Sequence, residues 1–158
     1  MEQGVAFLQE YRERGDRALA GSIKDLSRYR FEESQEILTD ARIMFENGRY
    51  KNTLNRAYYS IFHAIRAVIA LAGFDSSKHS GVISFFNRNY VKTGFFSKEM
   101  SKIIQSAAEN REKADYLDFF VASRKEAERQ IAQAEIFTKT IEEYLVEKGV
   151  LEKTKPNS

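Results

Sequence analysis

Cysteine is absent from this 158-residue sequence, and proline occurs once, at Pro156. A chain without cysteine has no disulfide framework, no thiolate zinc site and no cysteine nucleophile, which fits a reducing cytoplasm. Because proline is the commonest helix breaker, its scarcity favours long helices. The composition predicts one soluble, helix-rich domain whose core is large enough to fold without metal or disulfides.

Charge and hydropathy exclude two further classes of protein. The formal net charge is only +2, so any nucleic-acid binding requires a local basic patch rather than overall electrostatics. No run of eighteen apolar residues occurs, and the first ten residues lack the basic and apolar regions of a secretory signal. We therefore expect a cytoplasmic protein with no membrane partner.

Apolar residues recur at spacings of three and four along three long segments, which predicts helices rather than strands. These helices are expected from about Ile23 or Lys24 to Asn47, from Tyr50 to Ala72, and from the Ser123-x-x-Glu126 capping box to Lys148. Shorter helices are expected from His79 to Tyr90 and from Ser97 to Ala108, with an ordered connection from Asn110 to Phe120. In the first helix, Leu26, Tyr29 and Leu38 are among the predicted inward positions.

Together these segments predict an all-α fold, an antiparallel up-and-down bundle of three long and about two short helices. Gly15 and Gly21 disfavour one long element near the start, so residues 1–22 are expected to form a flexible arm. The bundle itself is expected to span residues 23–148. Residues 149–158 form a polar tail that should fray.

The central helix carries a polar stripe beside its apolar face. Arg56, Tyr59, His63 and Arg66 are spaced by three, four and three residues, so their side chains project from one side of the helix. One interpretation is structural, with arginine stems covering apolar surface and His63 hydrogen-bonded inside the bundle. The other is chemical, because imidazole suits proton transfer near neutral pH and a guanidinium stabilises a phosphorane.

Several common catalytic patterns are missing. The sequence has no glycine-rich phosphate loop ending in Lys-Ser or Lys-Thr, no His-Glu-x-x-His, and no pair of Glu-x-x-His segments. His63 and His79 are the two histidines, too few for a usual zinc site. We predict no metal and no cofactor, which leaves metal-free acid–base chemistry or binding by arginine, histidine and tyrosine.

Five short blocks follow one another between residues 24 and 147: Arg28-Tyr29-Arg30-Phe31-Glu32, Gly48-Arg49-Tyr50, Asn55 to Ala64, His79-Ser80-Gly81-Val82, and Arg111 to Tyr116. Together they resemble the HEPN domain, and more narrowly the small prokaryotic branch encoded beside a minimal nucleotidyltransferase. The resemblance implies an all-α bundle that commonly forms a homodimer and acts in toxin–antitoxin systems. It also implies a nucleotidyltransferase-like antitoxin as partner.

Active members of that family are metal-independent endoribonucleases with an Arg-x4–6-His motif, which Arg56 and His63 match with six residues between them. By the resemblance, Arg56 would stabilise phosphate and His63 would act as acid or base. Further binding candidates are Tyr59, Arg66, His79, Arg111, Asp115 and Tyr116, the last three carried only by the resemblance. The alternative for His79, at the start of its helix, is a cap or a loop residue. The alternative function is a non-catalytic HEPN module that binds a nucleotide or its nucleotidyltransferase partner.

Overall fold

The computed structural model describes residues 21–153 in full and the backbone of residues 2–20. Its helices are α1 (Glu2–Glu46), α2 (Tyr50–Leu71), α3 (His79–Phe86), α4 (Lys98–Tyr116) and α5 (Arg124–Glu147), and a π-helical turn (Asn87–Val91) follows α3. Residues 2–153 contain no β-strand, which confirms the predicted all-α bundle. Within the described part of the chain, no helix is both long and apolar enough to cross a membrane.

A tight turn joins α1 to α2. Gly48 adopts a φ of 71°, a left-handed conformation that an L side chain rarely takes. The Arg49 N–H then donates to the Met44 carbonyl at 2.8 Å, which satisfies one of the free carbonyls at the end of α1. The predicted Asn47-Gly48 stop is therefore confirmed, and so short a connection makes α1 and α2 antiparallel neighbours.

The predicted Leu38 is buried in the core beside α2, but two serines, rather than the predicted Leu26 and Tyr29, complete the inner face of α1. Ser34 Oγ donates to the Ser60 carbonyl at 2.6 Å, and Ser60 Oγ donates back to the Ser34 carbonyl at 3.0 Å. Ser27 is also fully buried, whereas Leu26 is 42% and Tyr29 64% exposed. The inward prediction for these two residues was wrong because each buried hydroxyl has a carbonyl partner across the interface.

Helix α2 lies at the centre of the bundle and contacts α1, α3, α4 and α5. Its apolar face, predicted from the three- and four-residue spacing between Leu54 and Ala72, is buried from Leu54 to Ile69, whereas Ala72, beyond the end of α2, is exposed. Phe86 and Phe137 are fully buried beside it. This position leaves only one side of α2 for polar side chains.

Helix α4 is longer than predicted and absorbs most of the expected connection after Asn110. It continues to Tyr116, where Ala114 is buried against Leu54 and Ala122. Charged residues with high helix propensity extend the helix, and this small apolar cluster holds its last turn on α2. The true connection is shorter and includes Phe119, whose φ is 61°.

The predicted helix starts differ in outcome: α1 begins at Glu2 rather than near Ile23, whereas the starts of α3 and α5 are confirmed. Helix α3 begins at His79, although it ends at Phe86 and the chain turns on through the π-helical residues rather than continuing as α-helix to Tyr90. Helix α5 follows Ser123, whose Oγ accepts a hydrogen bond from the Glu126 N–H at 3.1 Å. That bond is one half of the predicted capping box.

Both ends of the domain differ from the predicted boundaries. Gly21 lies within α1, because one glycine costs a helix only about 1 kcal/mol and does not end it. The prediction of a flexible arm over residues 1–22 falls largely on residues 1–20, outside the fully described residues. After α5, Val150 is 2% exposed and its carbonyl accepts from Arg28 Nε at 3.1 Å, so the chain stays docked just beyond Gly149. Residues 154–158 lie outside the described part.

Candidate functional site

The open side of α2 is polar. Between Thr53 and Ala70 the partly exposed residues are Asn55, Arg56, Tyr59, His63 and Arg66, and every other residue in that span is buried. Four of the five form the predicted stripe, and Asn55 is an addition. Helix α4 approaches this side at Tyr59, and α1 approaches it at His63.

Asn55 connects the stripe to α4. Its Oδ1 accepts hydrogen bonds from Arg56 Nε at 3.1 Å and Nη2 at 2.8 Å. Its Nδ2 lies 3.1 Å from both carboxylate oxygens of Asp115. The amide orientation is fixed by chemistry, because the opposite one would set its oxygen against the carboxylate and its NH2 against the guanidinium. The Arg56 guanidinium also lies 5.2 Å from the centre of the Tyr59 ring.

Arg111 of α4 links the same carboxylate to three tyrosine rings. Its Nε donates to Asp115 at 3.1 Å and its Nη2 to the Tyr59 hydroxyl at 3.3 Å. The guanidinium carbon lies 5.2 Å from the ring centre of Tyr58, 5.5 Å from that of Tyr59 and 5.9 Å from that of Tyr116. Burial lowers the pKa of Arg111, but the neighbouring tyrosines and Asp115 outweigh it and the pKa is raised. Arg111 is therefore a fixed cation between α4 and the polar side of α2.

The arginines of this side differ in how their charge is balanced. Arg30 and Arg66 share the carboxylate of Asp75, at 3.3 and 3.5 Å, and Arg111 pairs with Asp115 as described above. Arg56 has no carboxylate within 4.0 Å among the described residues. Its positive charge is held by an amide and a ring, so it is the guanidinium best placed to accept an anion.

His63 faces α1. Its Nδ1 lies 3.7 Å from Glu33 Oε2, too far for a hydrogen bond, and Nδ1 has no hydrogen-bond partner within the described chain. Burial lowers the pKa of His63; Glu33 opposes this, and Arg66, Arg30 and Arg56 add to the lowering. The lowered pKa favours the neutral imidazole, and the hydrogen bond of the structural interpretation is not seen at Nδ1 in the described part of the chain.

His79 approaches the stripe from the start of α3. Its Nδ1 lies 3.2 Å from the Tyr58 hydroxyl, and its ring centre lies 4.2 Å from that of Phe62. The N-cap position belongs to Lys78, so the predicted alternative that His79 caps the helix is wrong. Burial, and then Arg111, lower the pKa of His79, which also favours the neutral ring.

Next to His79 lies an open cleft of about 520 Å³, lined by Phe62, Arg66, Asp75, Ser76, Ser77 and His79. Local hydrogen bonds shape its rim: Asp75 Oδ1 accepts from the Ser76 N–H at 2.8 Å, and Ser76 Oγ from the Lys78 N–H at 3.2 Å. Burial raises the pKa of Asp75, but the Ser76 N–H and the two arginines outweigh it and the pKa is lowered. In the described part of the chain, no group of three or more His, Cys, Asp or Glu side chains could hold a metal ion.

The fold brings the predicted residues together in two groups around α2. The group toward α4 contains Arg56, Tyr59, Arg111, Asp115 and Tyr116; the group toward α1 contains His63 and Arg66; and His79 joins them through aromatic contacts. Sequence reasoning did not single out Asn55, Tyr58, Arg30, Glu33 or Asp75. Two of these, Asn55 and Tyr58, lie in the same block as Arg56, and that adjacency was the available signal.

Residues 27–144 match the sequence pattern of the HEPN domain, which is about three quarters of the chain and includes every predicted site residue. The chain belongs to the HEPN domain family. The predicted resemblance to that family is thus confirmed.

Individual proteins and one solved structure are also similar to this chain. A UPF0332 protein of Thermotoga maritima is 35% identical over 112 residues, which cover 71% of this chain and 85% of the relative. A Methanocaldococcus jannaschii protein named “Putative toxin MJ0605” is 36% identical over 114 residues, covering 72% and 84%. The crystal structure of ST0689, described as an archaeal HEPN homologue, has a TM-score of 0.55 and 13% identity and covers 75% of this chain and 97% of its own. That similarity shows the shared fold.

Proposed function

We propose that this HEPN protein is the toxin of a toxin–antitoxin pair and cleaves RNA without a metal ion, using Arg56 and His63. The observation that carries the proposal is the contrast within one polar stripe: in the described part of the chain Arg56 has no carboxylate within 4.0 Å, and burial lowers the pKa of His63 and so favours its neutral form. A cation for phosphate and a neutral base are the two groups that cleavage by the 2′-hydroxyl requires.

The proposed chemistry assigns one role to each ring nitrogen of His63. The Glu33 carboxylate, on the Nδ1 side, favours the tautomer with the proton on Nδ1. Nε2 then accepts the proton of the ribose 2′-hydroxyl while the 2′-oxygen forms a bond to phosphorus. Arg56 stabilises the negative charge of the phosphorane. The bond from phosphorus to the 5′-oxygen breaks and this oxygen takes a proton from water, while His63 gives its proton to the hydroxide that is left. The products are a 2′,3′-cyclic phosphate and a 5′-hydroxyl.

The toxin assignment, and the homodimer and antitoxin that accompany it, rest on similarity. Two relatives carry the word toxin in their names: the Methanocaldococcus jannaschii protein described above and “Putative toxin MJ0142” of the same organism, 27% identical over 127 residues. In the proposed assembly, two copies face a shared cleft, and a nucleotidyltransferase-like antitoxin restrains them. Size-exclusion chromatography with light scattering tests the homodimer, and co-purification with the neighbouring gene product tests the antitoxin.

A second candidate function is nucleotide binding without cleavage. It is favoured by the cleft beside His79, whose 520 Å³ suits a ligand of mononucleotide size. His79 offers a ring surface to a base, and Arg66 offers a cation to a phosphate. In that case the protein would bind mononucleotides and leave RNA intact.

The deciding experiment measures cleavage of labelled RNA in EDTA by the wild type, His63→Gln and Arg56→Gln. Arg129→Gln is the matched control, because Arg129 is an exposed arginine on α5. We expect the wild type and the control to cut, and each stripe variant to lose at least about a hundredfold, the usual contribution of such a group. Equal circular dichroism and melting temperatures must accompany that loss. If the wild type leaves RNA intact but binds nucleotide, the second function replaces the first.

A further inference from the structure

We propose that Asn55 is a positioning residue, an uncharged spacer that fixes the Arg56 guanidinium without neutralising it. The proposal deepens the function proposed above and rests on it for the role of Arg56. Its basis is the chain of hydrogen bonds that runs from Arg56 through the Asn55 amide to the Asp115 carboxylate.

The two ends of the Asn55 amide have different partners. One oxygen of Asn55 receives two N–H groups of Arg56, at 3.1 and 2.8 Å, and so fixes the plane of the guanidinium. Arg56 Nη1 makes no hydrogen bond in the described part of the chain, and it remains available to a phosphate oxygen. The amide NH2 is fixed in turn by both oxygens of Asp115. Orientation is therefore transmitted from α4 to the stripe.

The Asp115 carboxylate orients Asn55 but does not itself contact Arg56. A carboxylate directly against Arg56 would form a strong charge-assisted pair and compete with phosphate for the same N–H groups. The Asn55 amide lies between Arg56 and the Asp115 carboxylate, and this carboxylate accepts a hydrogen bond from Arg111 Nε at 3.1 Å. Tyr59 closes the arrangement, since its ring lies under Arg56 and its hydroxyl accepts from Arg111.

Asparagine and aspartate have nearly the same shape, so the idea can be tested by exchanging them. The double variant Asn55→Asp/Asp115→Asn keeps the composition and the net charge. It keeps a donor–acceptor pair between residues 55 and 115 and another between residue 115 and Arg111, but one of the two contacts that Asn55 Nδ2 makes with Asp115 becomes a contact between two oxygens. It moves the carboxylate from Arg111 to Arg56, and the single variant Asp115→Asn, which also takes the carboxylate from Arg111, controls for that loss. Asn55→Ala instead removes the support and adds no charge. Glu112→Gln, at an exposed position on α4, controls for changes of charge on that helix.

Two nuclear magnetic resonance readouts report on the free protein without RNA. Solvent exchange of the Arg56 Nε–H reports the support, and the pKa of His63 reports the charge of Arg56, which helps to lower that pKa. We expect exchange to be at least about tenfold faster in Asn55→Ala and nearly unchanged in the exchange variant. We expect the pKa of His63 to rise in the exchange variant and to stay in place in Glu112→Gln.

RNA cleavage supplies the functional arm. The exchange variant should lose at least about tenfold in kcat/KM although Arg56 stays ordered, because its charge is compensated. Wild-type cleavage by the exchange variant would overturn the spacer role. An unchanged Arg56 Nε–H exchange rate in Asn55→Ala would overturn the positioning role. If the wild type itself does not cut RNA, the proposed function fails, and the two magnetic resonance readouts still decide whether Asn55 orients Arg56 and isolates its charge.

Discussion

Replacing Asp75 by asparagine removes the carboxylate that balances two arginines. Asp75 Oδ2 lies 3.3 Å from Arg30 Nη2 and 3.5 Å from Arg66 Nη2. The Arg30 side chain is only 10% exposed, whereas that of Asp75 is 52% exposed. After the substitution, Arg30 keeps its bond to the Arg66 carbonyl at 3.2 Å but has no negative partner at this point. A largely buried positive charge is then left without compensation.

The size of the effect follows from that mixed exposure. Removing one member of a fully buried pair costs about 3 to 5 kcal/mol, and an exposed pair contributes about 0.2 to 1 kcal/mol. With one buried and one half-exposed partner, we expect Asp75→Asn to lower the free energy of unfolding by about 1 to 2 kcal/mol. For a chain of this length that is a fall in melting temperature of about 2 to 8 °C. Thermal melts and urea titrations followed by circular dichroism measure both quantities.

The sign of the pH dependence gives a second check. The folded-state pKa of Asp75 lies below its ordinary value of 3.8, so the unfolded chain binds the proton more readily. The stabilisation is therefore complete above about pH 3.8 and is lost as the pH falls through the folded pKa. Asp118→Asn, an exposed acid in the loop after α4, should change the melting temperature little. If Asp75→Asn lowers the melting temperature at neutral pH no more than Asp118→Asn does, the argument that Asp75 compensates Arg30 is refuted.

Two further predictions concern the histidines and the α1–α2 interface. The folded-state pKa values of His63 and His79 lie below the ordinary 6.5, so the free energy of unfolding should decrease as the pH falls from about 6.5 through those values. In the double variant His63→Gln/His79→Gln, urea titrations should show that this free energy depends less steeply on pH. An unchanged pH dependence would contradict the prediction. Ser34→Leu should lower the free energy of unfolding by about 3 kcal/mol or more, because leucine overpacks the interface and the hydrogen bonds with Ser60 are lost. Leu26→Ala, at an exposed position, should lower it by less than about 1 kcal/mol, and thermal melts compare the two. Similar losses of stability in both variants would refute the assigned inner face of α1.

Much of the fold follows from local patterns in the sequence. The Asn47-Gly48 stop, the Ser123 cap and the apolar period of α2 were all predicted and are confirmed. Each depends on residues only a few positions apart, so the signal is complete within one segment of the chain. The partly open side of α2 was predicted for the same reason, because four polar residues share it by helical spacing alone.

Predictions failed where burial depends on a partner from another segment. Ser27 and Ser34 are polar residues that a hydropathy pattern places outside, but hydroxyl-to-carbonyl bonds to α2 allow them to be buried. The same pattern predicted that Leu26 and Tyr29 face inward, but both side chains are exposed. Similarly, the charged run after Asn110 has no apolar period of its own, and it stays helical because Ala114 packs on Leu54.

The sequence by itself determined the helices, the family and the polar stripe of α2, since each is written in short-range spacing or in blocks of residues along the chain. Tertiary structure decided how the stripe is charged. Burial and three arginines from two helices keep His63 neutral, and Asp75 balances two arginines that are 36 positions apart in the chain. Asn55 meets Asp115 across 60 positions and keeps the carboxylate of Asp115 away from Arg56. Such pairings depend on which helices come together, and helical spacing does not contain that information.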